Sequence, residues 1–201
     1  MSPRPRRRTP TPSRKPRRVA LTGGIGAGKS EALKAFERHG AAVVSSDEIV
    51  HGLIEQDGQV RAALEERLGT TDRGRIAEIV FADRDELAWL EGLLHPRVRE
   101  EYLQRFDELG DSYDVVVVEV PLLYETGSEA LFDHVVVITA LPDVREQRAR
   151  VPLEGRSDRL IPDDEKVRRA DFAFVNDGTL DALDAFVQDV LERLHGEPLP
   201  R

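Results

Sequence analysis

The sequence predicts an α/β fold in which helices cover both faces of a five-stranded parallel sheet. Short runs rich in β-branched residues alternate with segments of helical spacing along the chain, an order typical of parallel sheets. The two strongest runs, "YDVVVVEVP" and "FDHVVVITA", contain several consecutive valines, as expected for strands buried on both faces. A glycine-rich loop stands between the first run and the first helical segment.

The first two strands and the helix between them have simple signals. Residues 19–22 form a short apolar run ended by glycines, which predicts a buried strand. Residues 30–39 have apolar side chains at helical spacing, and Gly40 follows as a helix-ending residue. The run "AAVVSS" at 41–46 predicts the second strand.

A helical insertion is predicted after the second strand. Residues 48–110 show about sixty residues of helical pattern without a convincing strand, which is too long for one crossover helix. Pro96 suits the first turn of a helix, so a break is expected there. The predicted helices of the insertion are 59–68, 76–94 and 96–109.

The second half of the chain completes the predicted sheet. Between the fourth strand and the fifth, residues 148–166 carry four arginines and two prolines without clean periodicity. A mobile lid at 148–162 would have this composition, and a solvated charge run is the alternative. The remaining predicted elements are strands at 113–121, 132–140 and 171–177 and helices at 143–150 and 180–194.

Composition excludes several classes of protein. With 201 residues, 40% hydrophobic and 33% charged, the chain suits one soluble domain. No apolar run approaches the roughly 18 residues that a membrane span needs. Cysteine is absent, which excludes disulfides, thiolate metal sites and cysteine nucleophiles and fits a reducing cytoplasm.

The charge is unevenly distributed. Residues 1–18 hold seven Arg, one Lys and no acid, so the formal net charge of −9 leaves −17 on the rest. This proline-rich opening predicts a disordered basic extension without a secretory signal. A domain at 19–195 and a tail at 196–201 follow. We do not expect the extension to bind nucleic acid, because a solvated leader explains the same composition.

The segment Gly23 to Ser30, "GGIGAGKS", matches the phosphate-loop pattern G-x-x-x-x-G-K-[ST] between a strand and a helix. Glycines there let backbone N–H groups turn toward a phosphate, and the helix N-terminus adds partial positive charge. Lys29 is expected to bridge the β- and γ-phosphates, and Ser30 to bind Mg²⁺. The predicted ATP-binding residues of the loop are Gly24, Ile25, Gly26, Ala27, Gly28, Lys29 and Ser30.

Other residues narrow the class of phosphate-loop protein. The only asparagine, Asn176, cannot supply the N-K-x-D pattern by which GTPases read guanine. Asp47 follows the second strand, where it either activates an attacking hydroxyl or caps a helix. Glu119 ends the third strand, where it either contacts Mg²⁺ or is paired within the core. His95 alone suits a packing or capping role.

The ordered set of motifs resembles the dephospho-CoA kinase family, the phosphate-loop enzymes of the last step of coenzyme A synthesis. The resemblance covers nearly everything from Val19 to Leu194. It rests on "ALTGGIGAGKS", "VSSDEIVHGLI", "LLHPRVRE", "VVVVEVPLLYETG" and "IPDDEKVRRADFAFVNDG". The phosphate loop is generic, whereas the ordered set is specific.

The resemblance implies roles for individual residues. It implies that Asp47 is the base for the ribose 3'-hydroxyl of dephospho-CoA, with His51 four residues on at a position that the family fills with Arg or His. The other implied site residues are His95, Pro121, Leu122 and Leu123 at the acceptor and Asn176 and Gly178 beside adenine.

Some residues depart from the family pattern. Ser45 replaces an acid, Glu119 stands where Asp is common, and Leu160 stands where Gln is common. The lid is also several residues shorter than is usual in the family. Of the arginines in this stretch, Arg148 is the first choice for contacting the phosphates; the others are Arg150, Arg156 and Arg159.

We therefore predict a three-layer α/β/α P-loop kinase with strand order 2-3-1-4-5, a helical acceptor-binding insertion and a short lid. It would convert ATP and dephospho-CoA to ADP and CoA with Mg²⁺, as a monomer. Two alternatives are compatible with the sequence. One is a kinase of another small acceptor such as a nucleoside monophosphate, and the other is a nucleotide-switched protein that binds nucleic acid through the basic extension.

Overall fold

The computed structural model describes residues 15–148 and 160–196, apart from the side chains of residues 146 and 147. Two compact units are present: residues up to Val44 together with those from Phe106 onward form the first, and Ser45–Arg105 form the second. Among the described residues, no helix combines the length and the apolar character needed to cross a membrane.

The first unit is built around a five-stranded sheet of order β2-β3-β1-β4-β5, so the predicted order is confirmed. β1 runs parallel to β3 and β4, and β4 runs parallel to β5. The strands are β1 (Arg17–Thr22), β2 (Ala42–Ser45), β3 (Val115–Glu119), β4 (His134–Thr139) and β5 (Phe172–Val175).

Helices cover the sheet because its strands are apolar on both faces. On one face, α1 (Lys29–Arg38) and α8 (Leu180–Gly196) share a core with alternate residues of β1, β3 and β4. The intervening residues, including Val116 and Val137, are also fully buried. α1 ends at Arg38, and Gly40, the predicted helix-ending residue, follows with a left-handed φ of 96°. The N–H of Gly40 donates to the Glu37 carbonyl, which closes the last turn.

The first strand begins two residues earlier than predicted. Arg17 is only 3% exposed, its N–H donates to the Asp114 carbonyl, and it lies opposite Val115. Arg18 is held by an ion pair with Asp133. The basic residues 17 and 18 thus belong to the sheet rather than to the predicted extension, and residues 1–14 lie outside the described ranges.

The second unit is helical, as predicted for the insertion, and its core includes Val60 and Leu64. Aspartates set its boundaries, because their carboxylates accept backbone N–H groups at helix starts. Asp57, Asp72 and Asp83 do so for three successive helices. The helices are α2 (Ser46–Gln56), α3 (Gly58–Leu68), α4 (Arg73–Ala82) and α5 (Arg84–Gly110), the last of which continues into the first unit.

The predicted break at Pro96 is wrong, because α5 continues through this residue. The break lies instead at Asp83, whose carboxylate accepts the N–H of Asp85 at 2.8 Å. Proline removes one N–H from the helix ladder. The N–H that Pro96 lacks would have bonded to the Gly92 carbonyl, and the Arg97 side chain donates to the neighbouring Leu93 carbonyl at 2.8 Å.

The predicted irregular stretch is partly helical. α6 (Pro142–Arg148) precedes it, and α7 (Asp163–Arg169) begins inside it. The sequence contains a signal for α7 that the periodicity did not reveal. Pro162 is followed by three acids in the first turn, and three basic residues occupy the last turn, which matches the helix dipole. The remainder of the predicted lid, 149–159, and the tail beyond Gly196 lie outside the described residues.

Candidate active site

The phosphate loop joins β1 to α1, as the sequence predicts. Gly28 occupies the N-cap position of α1 with φ of 100°, a left-handed conformation that glycine adopts without steric cost. A Cβ at Gly28 would lie 2.3 Å from the Asn176 amide nitrogen. At Gly23 an added Cβ would lie 1.8 Å from the Ile138 carbonyl oxygen. The loop therefore packs too closely against β4 and the end of β5 for larger residues.

Side chains hold the carbonyl groups of the loop. The Gly24 carbonyl accepts from Lys29 Nζ at 3.1 Å, and the Ile25 carbonyl accepts from Arg145 Nε at 3.0 Å. The Ala27 carbonyl accepts from the Asn176 amide at 2.9 Å. In a trans peptide the next N–H points away from the carbonyl. The N–H groups of residues 25, 26 and 28 are thus directed away from these side chains, which suits a phosphate cradle.

Ser30 and Glu119 are the predicted magnesium contacts. Ser30 is exposed in the first turn of α1, and Glu119 is 6% exposed at the end of β3. Glu119 lies opposite Leu21, two residues before the loop begins. No cluster of three His, Cys, Asp or Glu side chains able to hold a metal occurs in the described ranges. A hydroxyl and one carboxylate fit Mg²⁺, which retains waters and binds substrate phosphates.

Asp47 lies in the first turn of α2, immediately after β2. The cap of that helix is Ser45, whose hydroxyl accepts the N–H of Glu48 at 3.4 Å. The alternative interpretation of Asp47 as the helix cap is therefore wrong. Its carboxylate is exposed, so it is available to a ligand.

The two predicted histidines lie in the second unit. His51 Nε2 is 3.0 Å from the Glu55 carboxylate, one turn along α2, and its other ring nitrogen contacts Arg73. His95 is exposed in the middle of α5, so the packing interpretation of His95 is not supported.

The predicted acceptor residues that follow β3 differ in exposure. Leu123 is fully buried, whereas Pro121 and Leu122 retain partial exposure. The Pro121 carbonyl accepts the Thr22 hydroxyl at 3.4 Å, which fixes this segment to the end of β1. Of these three residues, Pro121 and Leu122 therefore offer side-chain surface to a ligand.

The segment after β5 contacts the phosphate loop. Asn176 is 4% exposed and donates to Ala27 as described above. Arg148 donates to the Asn176 carbonyl at 3.2 Å. The predicted lid arginine therefore contacts a residue that itself contacts the phosphate loop. Gly178 is exposed in the link to α8. The other candidate lid arginines, Arg150, Arg156 and Arg159, lie outside the described residues.

Arg145 is the site residue that sequence reasoning missed. It lies in α6, 120 residues from the Ile25 carbonyl that it binds. Its Nη1 also donates to Asp163 Oδ2 at 2.6 Å. The only local signal was an arginine shortly after a strand, and several arginines in this region share that property.

Comparisons with known proteins agree over most of the chain. A family model described as dephospho-CoA kinase matches residues 17–182. The dephospho-CoA kinase of Protochlamydia amoebophila is 34% identical over 89% of this chain and 96% of its own length. That of Rhodopseudomonas palustris strain HaA2 is 37% identical over 87% and 94%. A crystal structure from Thermus thermophilus is 27% identical with a TM-score of 0.74, over 90% and 99%. The similarity therefore includes both compact units.

Proposed function

The chain belongs to the dephospho-CoA kinase family, and on this premise we propose that it transfers the γ-phosphoryl group of ATP to the ribose 3'-hydroxyl of dephospho-CoA. The observation that carries the proposal is the phosphate loop, whose carbonyls are held by Lys29, Arg145 and Asn176. Such a loop binds the phosphates of a nucleoside triphosphate through its N–H groups. Membership of the family identifies dephospho-CoA as the acceptor.

The phosphate loop and Lys29 bind and polarise the phosphates of ATP. Lys29 Nζ already lies at the loop, where it contacts the Gly24 carbonyl. On ATP binding, its ammonium group is expected to turn to the β- and γ-phosphates and stabilise the charge on the transferring group. Mg²⁺, bound through Ser30 and Glu119, would supply further neutralisation of phosphate charge.

Asp47 is proposed as the base of the reaction. Its exposed carboxylate accepts the proton of the ribose 3'-hydroxyl, and the hydroxyl oxygen attacks the γ-phosphorus as the bond to the β-phosphate oxygen breaks. ADP leaves, and CoA carries the new phosphate. Catalysis then rests on positioning and electrostatics, without a covalent enzyme intermediate.

The remaining predicted residues are proposed to bind the two substrates. His51, His95, Pro121 and Leu122 would contact dephospho-CoA, and Leu123 would support that segment from the core. Asn176, Gly178 and Arg148 would serve the nucleotide. Monomeric state and cytoplasmic location stay predictions from the sequence.

The test is an acceptor profile. Purified protein with ATP and Mg²⁺ is assayed for ADP release with dephospho-CoA, AMP, shikimate or no acceptor, and the product is identified by mass. CoA formed only with dephospho-CoA is expected. ADP release with AMP or shikimate alone would overturn the acceptor assignment. A Lys29→Ala variant should lose turnover in the same assay. Its matched control is Lys34→Ala, because Lys34 is an exposed lysine of the same helix paired with Glu31.

A further inference from the structure

A partly buried chain of hydrogen bonds links β4 to the phosphate loop through residues with no role in the proposed reaction. The Thr139 hydroxyl at the end of β4 donates to Asp163 Oδ2 at 2.9 Å. The same carboxylate oxygen accepts from Arg145 Nη1 at 2.6 Å. Arg145 Nε in turn donates to the Ile25 carbonyl at 3.0 Å. The side chains of Arg145 and Asp163 are only 21% and 25% exposed.

Arg145 packs closely against two glycines of the loop, and one of them, Gly26, also has a left-handed φ of 75°. Gly24 has no left-handed φ, so backbone conformation does not require glycine at this position. A Cβ at Gly24 would instead lie 2.7 Å from the Arg145 guanidinium carbon. At Gly26 a Cβ would lie 2.8 Å from the Arg145 carbonyl oxygen. The loop and Arg145 are packed in direct contact along this side.

We propose that Arg145, held by Asp163, is a positioning residue that keeps the phosphate loop in its binding conformation. Its guanidinium fixes the Ile25 carbonyl, so the N–H of Gly26 faces the opposite side of that peptide. A planar guanidinium suits this role, because it donates to a carbonyl and a carboxylate at fixed angles. The proposal rests on the proposed function only in that the loop binds nucleotide phosphates.

The proposal separates two properties of the site. Arg145 acts on the loop and not on the acceptor, so its loss weakens nucleotide binding and leaves dephospho-CoA binding unchanged. Asp163 reaches the loop through Arg145, so the effects of changing the two residues on nucleotide binding are not additive. A lysine at position 145 keeps one donor for Ile25 but lacks the planar fork, and restores binding in part.

The experiment measures direct binding of ADP and of inorganic triphosphate by calorimetry to wild type, R145A, R145K, D163N and R145A/D163N. Because it needs no turnover, it remains valid if the proposed acceptor is wrong. We expect R145A to weaken both ligands about tenfold, R145K to weaken them less, and the double variant to match R145A. The KM for dephospho-CoA should not change.

The matched control is R168A, because Arg168 is an exposed arginine of α7 that pairs only with Asp164 among its described neighbours. It should bind both ligands as wild type does. Wild-type binding by a folded R145A, or additive losses in the double variant, would overturn the proposal. If R145A does not fold, R145K and D163N decide: wild-type affinity in both would contradict it.

Discussion

The buried ion pair between Lys166 and Glu125 gives a sharp prediction about stability. Lys166 Nζ is 2.7 Å from Glu125 Oε1, and their side chains are 2% and 10% exposed. The same carboxylate oxygen accepts the N–H of Ile161 at 3.0 Å. The Glu125 carboxylate therefore ties the segment after β3 to α7 and to the residues that lead into it. Lys166→Met would leave the Glu125 carboxylate buried without its cation.

The expected cost of Lys166→Met follows from this burial. Removing one partner of a buried pair typically destabilises a protein by about 3–5 kcal/mol. For a chain of this size, each kcal/mol lowers Tm by about 2–4 °C, so we expect a fall of about 6–20 °C. Adding Glu125→Gln should recover much of the loss, because the charge is removed while an acceptor for Ile161 remains.

Thermal unfolding followed by circular dichroism measures this effect. The control is Arg168→Met in the same helix, whose pair with Asp164 is exposed, with side chains 69% and 73% accessible. An exposed pair contributes at most about 1 kcal/mol, so the control should melt within about 4 °C of wild type. A Lys166→Met protein that melts like the control would refute the reasoning. So would a double variant no more stable than the single one.

Three further predictions concern the site and the surface. Lys29→Ala should lower kcat by about a hundredfold or more with unchanged Tm. Near-normal turnover would exclude Lys29 as the residue that stabilises the transferring phosphoryl group. Asp47→Asn should abolish CoA formation while ADP still binds, with Glu48→Gln as the exposed control from the same turn; an active Asp47→Asn enzyme would exclude Asp47 as the base. Arg38 and His39 hold the pKa of Asp184 below its ordinary value. Its contribution to stability is therefore present above an unfolded pKa of about 3.9 and is lost as pH falls through the folded pKa. Asp184→Asn should lower stability more at pH 7 than at pH 2, in denaturant unfolding at both pH values; equal losses would contradict this.

Local sequence patterns predicted most of the sheet. The valine runs of β3 and β4 are strands because apolar, β-branched segments are stable when buried on both faces. The phosphate loop was equally clear, since its glycines, lysine and serine are adjacent in the chain. These signals depend on residues close together in the chain. The structure confirms that the phosphate loop lies between β1 and α1.

Competition between local signals explains the errors. Pro96 predicted a break, but the helix continues through it, and Asp83 with its capping carboxylate is the actual boundary. The pattern allowed Asp47 either to activate a hydroxyl or to cap the helix, and in the structure the capping residue is Ser45. In both cases several residues suited a helix terminus, and only the backbone geometry identified which one was used.

The sequence by itself determined the five strands, the phosphate loop and the family, because each depends on residues near one another in the chain or on an ordered set of motifs. The tertiary structure alone decided which distant side chains hold the loop. Arg145 and Asn176 contact it across 120 and 149 residues, and no local pattern distinguishes Arg145 from its neighbouring arginines. Their selection depends on β4 lying beside β1 and β5 beside β4, which brings the ends of these strands to the loop.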